Sequence, residues 1–421
     1  MTPYHPRIAI LGGGPGGLTL GRLLYKNGVP VTIYDLRDKP TWEDLSKPCG
    51  MLDLHQESGI SSLRECGLYE KFLPLTGECA EEAKVYHHDG RLLHHDFGGS
   101  EEGARPEISR HALIHLLVSN IPPEMIKWNH KAISVDSLTT ASGNTEMVVD
   151  FGPRGKETFD FVIGADGAWS KVRSFLTPTM PYYAGIQMMT LDLPSVSTKY
   201  PQIADFLGNG TMMALGFRNA VLAQRGAQAS ARIYLAVSTS DEVFGEVTGL
   251  RGRTAREAVQ TLLNEDGLFA DWAPAFRELI SAACEAETTE NSNDKLDIKP
   301  LYMLHVGQSW DTKPGATLVG DAAHLMTPFA GEGVNLAMWD CQDLALAITE
   351  ATRAGSANVA GFQQCLHPLV KEFEKKMLTR AQTKAEETWA NKKMMFDSDN
   401  GSDNMAEFFR SAGLGTLVVI E

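Results

Sequence analysis

The sequence predicts an α/β fold of two interleaved domains, one built on a parallel sheet and one on an antiparallel sheet, with a long helix towards the C-terminus. Three observations support this prediction. The apolar run at residues 7–11 leads directly into a glycine-rich turn and a helical repeat of leucines. A second apolar run, at 159–165, also ends in a turn. Between residues 181 and 295, short apolar stretches alternate with glycines and polar turns, as in antiparallel strands.

The first domain begins with a strand, a glycine turn and a helix. Residues 7–11 suit a buried strand, and the leucine repeat stops at Asn27-Gly28. The intervening glycines fit G-x-G-x-x-G, which permits a tight turn and lets the backbone and the helix N-terminus approach a pyrophosphate. The alternative is a glycine-rich turn with no ligand. The residues expected to bind the ligand are Gly12, Gly14, Pro15, Gly16 and Gly17.

Asp35 follows the predicted second strand at residues 29–34. A carboxylate at this strand end is placed to accept hydrogen bonds from a ribose, and it would repel a 2′-phosphate. Because strand, helix and terminal acid are all present, a ligand-free turn is disfavoured. The pocket therefore suits FAD or NAD and not NADP.

Two further motifs extend the site. Asp166 ends the strand-like run at 159–165, at the sheet edge where ligands collect in open α/β sheets. A simple turn capped by Ser170 is the alternative there. Near the C-terminus, Gly320-Asp321 precedes Pro328 and a second glycine pair. The first and last motifs together suggest one long dinucleotide, with its phosphates at the N-terminal motif and its polyol at the C-terminal one, and that ligand is predicted to be FAD.

Composition and charge exclude several classes of protein. The net charge is −15, which opposes binding to nucleic acid or to an anionic membrane surface. The six cysteines are scattered and predict reduced thiols in a cytoplasmic protein. No signal peptide or membrane-spanning stretch is visible, so a soluble chain is expected.

The histidines at residues 87, 88, 94 and 95 flank an Asp-Gly turn and predict a β-hairpin with a two-residue loop. Adjacent histidines in a strand point to opposite faces. No metal site is predicted there.

The three motifs resemble, in order, the signatures of the single-component (class A) FAD-dependent aromatic hydroxylases, whose fold is that of para-hydroxybenzoate hydroxylase. Within that group the chain is most similar to the tetracycline-inactivating flavin monooxygenases, which segments 52–55, 107–110, 170–173 and 320–331 resemble. The resemblance runs from about residue 7 to residue 390 and is thin from about 190 to 295.

The resemblance implies a domain organisation and a set of cofactor contacts. The FAD-binding domain is expected at 1–80, 105–180 and 296–360, the substrate domain at 81–104 and 181–295, and a bridging helix and tail at 361–421. Asp321 would bind the ribityl chain, and Arg110 the ribityl and phosphate part, with a surface arginine as the alternative. The cofactor-binding residues implied in this way are Arg110, Asp166, Asp321, Pro328, Gly331, Gly333, Val334 and Asn335.

The substrate pocket is expected between residues 181 and 295, above the flavin ring. Gln187 resembles the glutamine with which the tetracycline enzymes hold their substrate. Where those enzymes carry an arginine and a histidine, this chain has Thr211 or Met212 and Tyr234, and no neighbour obviously restores the charge. A less anionic, more apolar substrate is therefore expected. The predicted substrate-binding residues are Gln187, Met213, Tyr234 and Phe329.

The resemblance implies an FAD-dependent monooxygenase. NADPH or NADH would act as a transient co-substrate, and a flavin C4a-hydroperoxide would insert one oxygen atom from O2, most often by hydroxylation, into an aromatic or polyketide-like small molecule. No protein residue is assigned a catalytic role, because the flavin does the chemistry. A flavin oxidase or reductase without oxygen insertion, and tetracycline inactivation, are the alternatives; a flavin halogenase is disfavoured by the lack of a Trp-x-Trp pair. A monomer or weak dimer is expected.

Overall fold

The computed structural model describes residues 4–47, 49–76, 82–98, 106–141, 143–290, 295–355 and 358–411. Cys79 and the apolar segment at 414–420 lie outside these residues. The strands are β1 Ile8–Leu11, β2 Thr32–Tyr34, β3 Met51–Asp53, β4 Ala83–His87, β5 Leu92–Asp96, β6 Glu107–Ser109, β7 Ile126–Lys127, β8 Ser134–Thr139, β9 Thr145–Asp150, β10 Lys156–Phe159, β11 Phe161–Gly164, β12 Tyr182–Leu193, β13 Thr211–Gly216, β14 Asn219–Gly226, β15 Ser230–Ser238, β16 Asp297–Met303 and β17 Ala316–Leu318.

The helices alternate with these strands in the first domain and cover the sheet of the second. They are α1 Pro15–Lys26, α2 Trp42–Ser46, α3 Ser61–Cys66, α4 Tyr69–Phe72, α5 Arg110–Val118, α6 Lys171–Leu176, α7 Val196–Lys199, α8 Pro201–Leu207, α9 Phe244–Val247, α10 Ala255–Leu263, α11 Pro274–Glu290, α12 Asp321–His324, α13 Gly333–Ala354, α14 Val359–Phe396 and α15 Gly401–Ser411. None of the helices in the described ranges is long and apolar enough to cross a membrane.

The first domain is built on a five-stranded parallel sheet in the order β17-β11-β1-β2-β7. All residues of β1, β11 and β17 are buried, which explains why these strands are apolar throughout. In register, Leu11 pairs with both Gly164 and Tyr34, and Gly164 pairs with Leu318. The carboxyl ends of four strands therefore meet at one edge. The segments that follow them are the predicted ligand motifs.

The second domain is a seven-stranded sheet in the order β16-β12-β15-β14-β13-β4-β5. Its pairs are antiparallel except β13 with β4, which is parallel, so the sheet is mixed where an entirely antiparallel one was predicted. Asp297–Met303 pairs with β12 in this sheet, although the predicted boundary at residue 296 assigned it to the cofactor domain. Because β16 is part of this sheet, the boundary lies after Met303. The sequence signal for the strand was weak, since proline is rare within strands and β16 contains Pro300.

The two faces of the seven-stranded sheet differ in their cover. On one face, apolar residues of β12, β13 and β15 pack against α8, α10 and α11 in a continuous core. On the other, the end of α14 and α15 cover only part of the sheet, through Met395, Phe396, Met405 and Ala406. The remainder of that face is turned towards the edge of the parallel sheet at Phe329.

Helix α14 joins the two domains. It spans 38 residues and begins two residues before the segment at 361–421, where a bridging helix and tail were expected. Its first half packs against the core of the parallel sheet through Phe362, Val370 and Met377, and its end reaches the seven-stranded sheet at Phe396. The predicted long C-terminal helix is confirmed, and so is the α/β fold class.

Candidate cofactor and substrate site

The glycines of the N-terminal motif have different roles. Gly12 has φ 115°, and a Cβ atom there would lie 2.0 Å from the Ala165 carbonyl oxygen, while a Cβ on Gly17 would lie 1.9 Å from the Gly12 oxygen. These two glycines are needed by the protein's own packing. A Cβ on Gly14 would meet nothing within 4 Å. Its missing side chain instead leaves open the approach to the N-terminus of α1, which suits a pyrophosphate.

Asp35 anchors the glycine turn. Its Oδ2 accepts hydrogen bonds from the Gly13 N–H at 2.6 Å and from Arg37 Nη2 at 2.9 Å, and its Oδ1 accepts from Arg37 Nε at 2.8 Å. Burial alone would raise the pKa of Asp35, but the bonds from Arg37 outweigh it and lower the pKa. A ribose hydroxyl would share this carboxylate with Arg37. Sequence reasoning did not consider Arg37, and the ribose contact stays a prediction.

Arg110 and Asp321 come from distant parts of the chain and face the same cleft. Arg110 opens α5, behind an N-cap hydrogen bond from the Ala112 N–H to Ser109. Both residues reach solvent in the cleft, although many protein atoms surround the Asp321 carboxylate. Burial by the surrounding protein raises the pKa of Asp321, and the charges of His324, Arg110 and Arg173 oppose this shift. Within the described parts of the chain, the Arg110 guanidinium has no hydrogen-bond partner, so its donors are available to a ligand.

Arg173 joins the second and third motifs, and its role was missed in the sequence. It is 1% exposed and donates to the backbone oxygens of Ala322 at 3.0 Å and of Ala168. Desolvation lowers its pKa, against the attraction of Asp166 and Asp321. A buried arginine in the short helix α6 thus fixes the separation of two ligand motifs. No local signal marked this burial, because α6 also contains the polar residues Lys171 and Ser174.

Asp166 keeps one carboxylate oxygen for a ligand. Oδ2 accepts the Lys171 N–H at 2.7 Å, and Ser170 caps α6, which was part of the alternative interpretation of this segment. Oδ1 is buried without a hydrogen-bond partner among the described residues, and desolvation raises the pKa of the group. A buried acceptor of this kind is costly unless a ligand or water satisfies it.

The loop before α13 presents a helix N-terminus to the cleft. Gly331 has φ 69°, and α13 begins at Gly333, so the N–H groups of Gly333, Val334 and Asn335 have no acceptor within the helix. Helix α14 holds the loop in place: Thr388 Oγ1 donates to the Thr327 oxygen at 2.7 Å. This N-terminus suits the electron-rich pyrimidine edge of a flavin.

The Asn335 side chain has a structural role beyond its backbone. Its Oδ1 accepts the His55 N–H at 2.9 Å, and its Nδ2 donates to the Asp53 oxygen at 2.9 Å. It is fully buried. Asn335 therefore fixes the segment after β3 to the start of α13, so that its predicted cofactor contact falls to the backbone.

Charged groups support the same loop from behind. Glu332 pairs with Lys384 at 2.8 Å and with His55 at 3.5 Å, and these partners outweigh burial to lower its pKa. The fully buried Asp340 accepts from His324 at 2.6 Å and from the Gly320 N–H at 3.1 Å. His324 is thus a structural hydrogen-bonding residue of the motif.

These features fit FAD. The open space at Gly14 and the helix N-terminus behind it match a pyrophosphate, and Arg110 and Asp321 offer a donor and an acceptor to a polyol. Asp166 Oδ1 offers a further acceptor, and the start of α13 matches the flavin edge. All of them border the edge of the parallel sheet.

The uncovered part of the seven-stranded sheet borders Phe329. Tyr234 pairs in register with Leu222, and Leu222 with Met213, so these three side chains form one row across β15, β14 and β13. All three are half-buried and share a cluster with Phe329. The structure thus brings together three of the four predicted substrate residues: Met213, Tyr234 and Phe329.

Gln187 lies on the opposite face. It pairs in register with Val237, which belongs to the helix-covered core, and it is 1% exposed. Its Nε2 donates to the Glu242 carbonyl oxygen at 2.9 Å. The structure does not bring Gln187 to the cleft, because its position in β12 has the parity of the core-facing residues.

One neighbour of Tyr234 on the pocket sheet is a cation that was not singled out from the sequence. Arg232 lies two residues before Tyr234 on the same face of β15. Its guanidinium donates to both carboxylate oxygens of Asp192, at 2.7 and 2.6 Å. The cleft has a cation, and that cation is already paired.

Comparison with known proteins agrees with this geometry. A family model described as FAD binding domain matches residues 6–271 and 305–375. The chain belongs to this family. It is 33% identical to the monooxygenase penA of Penicillium thymicola, over 96% of this chain and 98% of the relative.

Solved structures share the fold of this flavoprotein monooxygenase. HpxO of Klebsiella pneumoniae with FAD and uric acid matches with a TM-score of 0.68 and 16% identity, over 96% of this chain and 93% of HpxO. The tetracycline destructase Tet(51) matches with a TM-score of 0.62 and 16% identity over all of both chains. The predicted family, FAD as cofactor and monooxygenase class are confirmed, and use of NAD(P)H is typical of the family.

Proposed function

We propose that this flavoprotein monooxygenase hydroxylates an aromatic or polyketide-like small molecule of low charge, held between the sheet row Tyr234–Leu222–Met213 and the loop at Phe329. The observation that carries the proposal is that this row stays half-open, while the neighbouring row of the same face is closed by α14 and α15. An open apolar surface beside a cofactor cleft fits a flat, apolar ligand.

The chain's own residues bind and orient the cofactor in this proposal. Bound FAD supplies the redox chemistry that transfers electrons from NADPH or NADH to oxygen. The turn at Gly14 receives the pyrophosphate, Arg110 and Asp321 hold the ribityl part, and the N–H groups that open α13 stabilise negative charge on the pyrimidine.

Other residues exclude water from the reacting edge. The rings of Phe329 and Phe396 lie 5.2 Å apart, and Asn391 holds the Phe329 carbonyl oxygen at 2.9 Å. Leu222 and Met213 line the opposite wall. An apolar enclosure of this kind favours oxygen transfer to substrate over loss of activated oxygen to water.

The direct test is incorporation of labelled oxygen. The purified chain, loaded with FAD, is supplied with NADPH or NADH, isotopic dioxygen and a panel of neutral aromatic and polyketide compounds that includes a tetracycline. We expect substrate-dependent consumption of the reductant and one labelled atom in the product. Consumption that releases only hydrogen peroxide across the panel would instead support the oxidase alternative, and label in tetracycline alone would support the antibiotic alternative.

A pair of variants tests the location of the pocket. Met213→Trp places bulk on the open row, so we expect at least a tenfold rise in KM for any compound that the wild type oxygenates. Val247→Trp adds the same bulk at a residue that is 72% exposed on the surface, and should leave KM unchanged. Equal kinetics in the two variants would place the substrate elsewhere.

We also propose a cytoplasmic location, which the scattered cysteines favour, and a monomeric or weakly dimeric state. Cell fractionation and light scattering of the FAD-loaded chain test them. Recovery in a membrane fraction, or a stable higher oligomer, would contradict them.

A further inference from the structure

The polar end of the substrate surface contains a charge pair that no cofactor contact requires. Asp192 and Arg232 pair directly in the register of β12 and β15, in the row next to Tyr234. Gln224 continues this row on β14. The side chains of Arg232 and Asp192 are 22% and 29% exposed, so the pair is neither sealed in the core nor free in solvent.

Beyond Asp192, the Arg232 side chain also hydrogen-bonds the Tyr234 hydroxyl. Nε and Nη2 are used by Asp192 in a bidentate arrangement. Nη1 points to the segment that precedes β3: a Cβ built on Gly50 would lie 3.8 Å from Nη1 and 3.0 Å from the Tyr234 hydroxyl. Two polar groups, Nη1 and the Tyr234 hydroxyl, therefore border the same space.

That space opens on the cofactor cleft. Arg110, which starts α5 beside Gly50, is close enough to influence the pKa of Tyr234, and its N–H donates to the Gly50 oxygen at 3.0 Å. A ligand lying over the Tyr234–Leu222–Met213 row would thus place one end at the Arg232–Asp192 pair and the other towards Phe329.

The charge of the pair decides which end group it accepts. A lone arginine would attract a carboxylate strongly. Here Asp192 cancels that attraction and would repel a second carboxylate placed nearby. What remains is the second N–H of Nη1 and the Tyr234 hydroxyl, which can donate to a ligand while it accepts from Arg232. A neutral group with an acceptor, such as an amide, matches this set.

We propose that Arg232 and Asp192 are specificity-determining residues that select a neutral, amide-like polar end on an aromatic substrate and reject the corresponding carboxylate. This inference rests on the proposed function, because it places the substrate on the same sheet row. It adds the chemical class of the polar end.

The test compares two ligands that differ only in charge, a hydroxynaphthamide and the matching hydroxynaphthoate. Their dissociation constants are measured near pH 7 from the change in flavin absorbance on titration of the oxidised, FAD-loaded chain, without NADPH or turnover. We expect the wild type to bind the amide at least tenfold more tightly than the carboxylate. Asp192→Asn frees the charge of Arg232 at almost constant shape, and should lower this preference at least tenfold.

Two further variants keep the result interpretable. Arg232→Gln leaves Asp192 unbalanced, and should weaken binding of the naphthoate further. Glu285→Gln removes a carboxylate from an exposed pair with Arg256 on the helix-covered side, and should leave the preference unchanged. Thermal unfolding confirms that each variant is folded. If Asp192→Asn does not fold, the Arg232→Gln comparison carries the test alone.

Three outcomes would overturn the inference. They are equal or tighter binding of the naphthoate by the wild type, an unchanged preference in folded variants, or failure of the wild type to bind either ligand. Because these are binding measurements, they are independent of oxygen transfer. Absence of labelled product with a normal ligand preference would count against the proposed reaction and not against the specificity pair.

Discussion

Alanine substitution of two glycines in the same turn should affect two different properties: the stability of the fold at Gly17 and the affinity for FAD at Gly14. A Cβ on Gly17 would lie 1.9 Å from the Gly12 carbonyl oxygen, a contact between backbone and side chain that no rotamer can relieve. A Cβ on Gly14 would meet no protein atom within 4 Å. Alanine at position 17 therefore perturbs the fold, and alanine at position 14 perturbs only what occupies the space beside it.

The magnitudes follow from this difference. Overpacking at Gly17→Ala should cost about 3 kcal/mol in the free energy of unfolding of the apoprotein. Gly14 has φ −77° and ψ −179°, which alanine adopts without strain. The entropy gained from replacing glycine is offset by the poorer N-cap, so the unfolding free energy of Gly14→Ala should change by less than about 1 kcal/mol. Its affinity for FAD should fall at least tenfold, which corresponds to about 1.4 kcal/mol.

The assay separates the two effects. Urea unfolding of the apoprotein measures stability, and quenching of flavin fluorescence on titration measures the dissociation constant for FAD. The reasoning is refuted if Gly14→Ala binds FAD as tightly as the wild type, since the open space would then not serve the cofactor. It also fails if Gly17→Ala is as stable as the wild type.

Three other predictions concern charged residues. Arg110→Gln should weaken FAD binding more than tenfold, because a hydrogen bond to a charged group contributes about 1.5–3 kcal/mol. A flavin titration equal to that of the wild type would contradict this. Asp340→Asn should lower the free energy of unfolding, measured in urea, by about 3 kcal/mol, because His324 and Arg380 lose a buried carboxylate partner. A change below about 0.5 kcal/mol would show that these contacts of Asp340 do not stabilise the fold. Burial opposes protonation of His324, but Asp340 raises its pKa from 6.5, so this stabilisation is complete below pH 6.5 and is lost as the pH rises through the folded-state pKa. The stability difference between wild type and Asp340→Asn should therefore shrink above pH 6.5, and a constant difference would exclude the linkage.

Local backbone requirements made the cofactor site predictable. Gly12 and Gly331 adopt positive φ, and the apolar strands that precede the motifs are buried on both faces, so short segments carried the signal. Parallel pairing then brings the strand ends to one edge whatever their separation in the chain. Helix α14 could also be predicted from the sequence, since its pattern of charged residues with apolar residues at intervals persists over 38 residues.

The substrate face could not be assigned in the same way. Gln187, Met188 and Met189 are all buried, so no alternation of polar and apolar residues marks which of them faces the cleft. Strand register decides this, and register depends on the partners β15 and β16. The parallel pairing of β4 with β13 likewise joins distant parts of the chain, and no local sequence pattern predicts it.

By itself, the sequence determined the cofactor and the family, and it predicted the edge of the sheet where FAD would bind, because each depends on glycine conformation and strand order within short segments. Only the tertiary structure decided which charges remain available. Arg37 is held by Asp35, Arg232 is neutralised by Asp192, and Arg110 is left to a ligand, because ion pairing depends on distances between residues that the fold alone brings together.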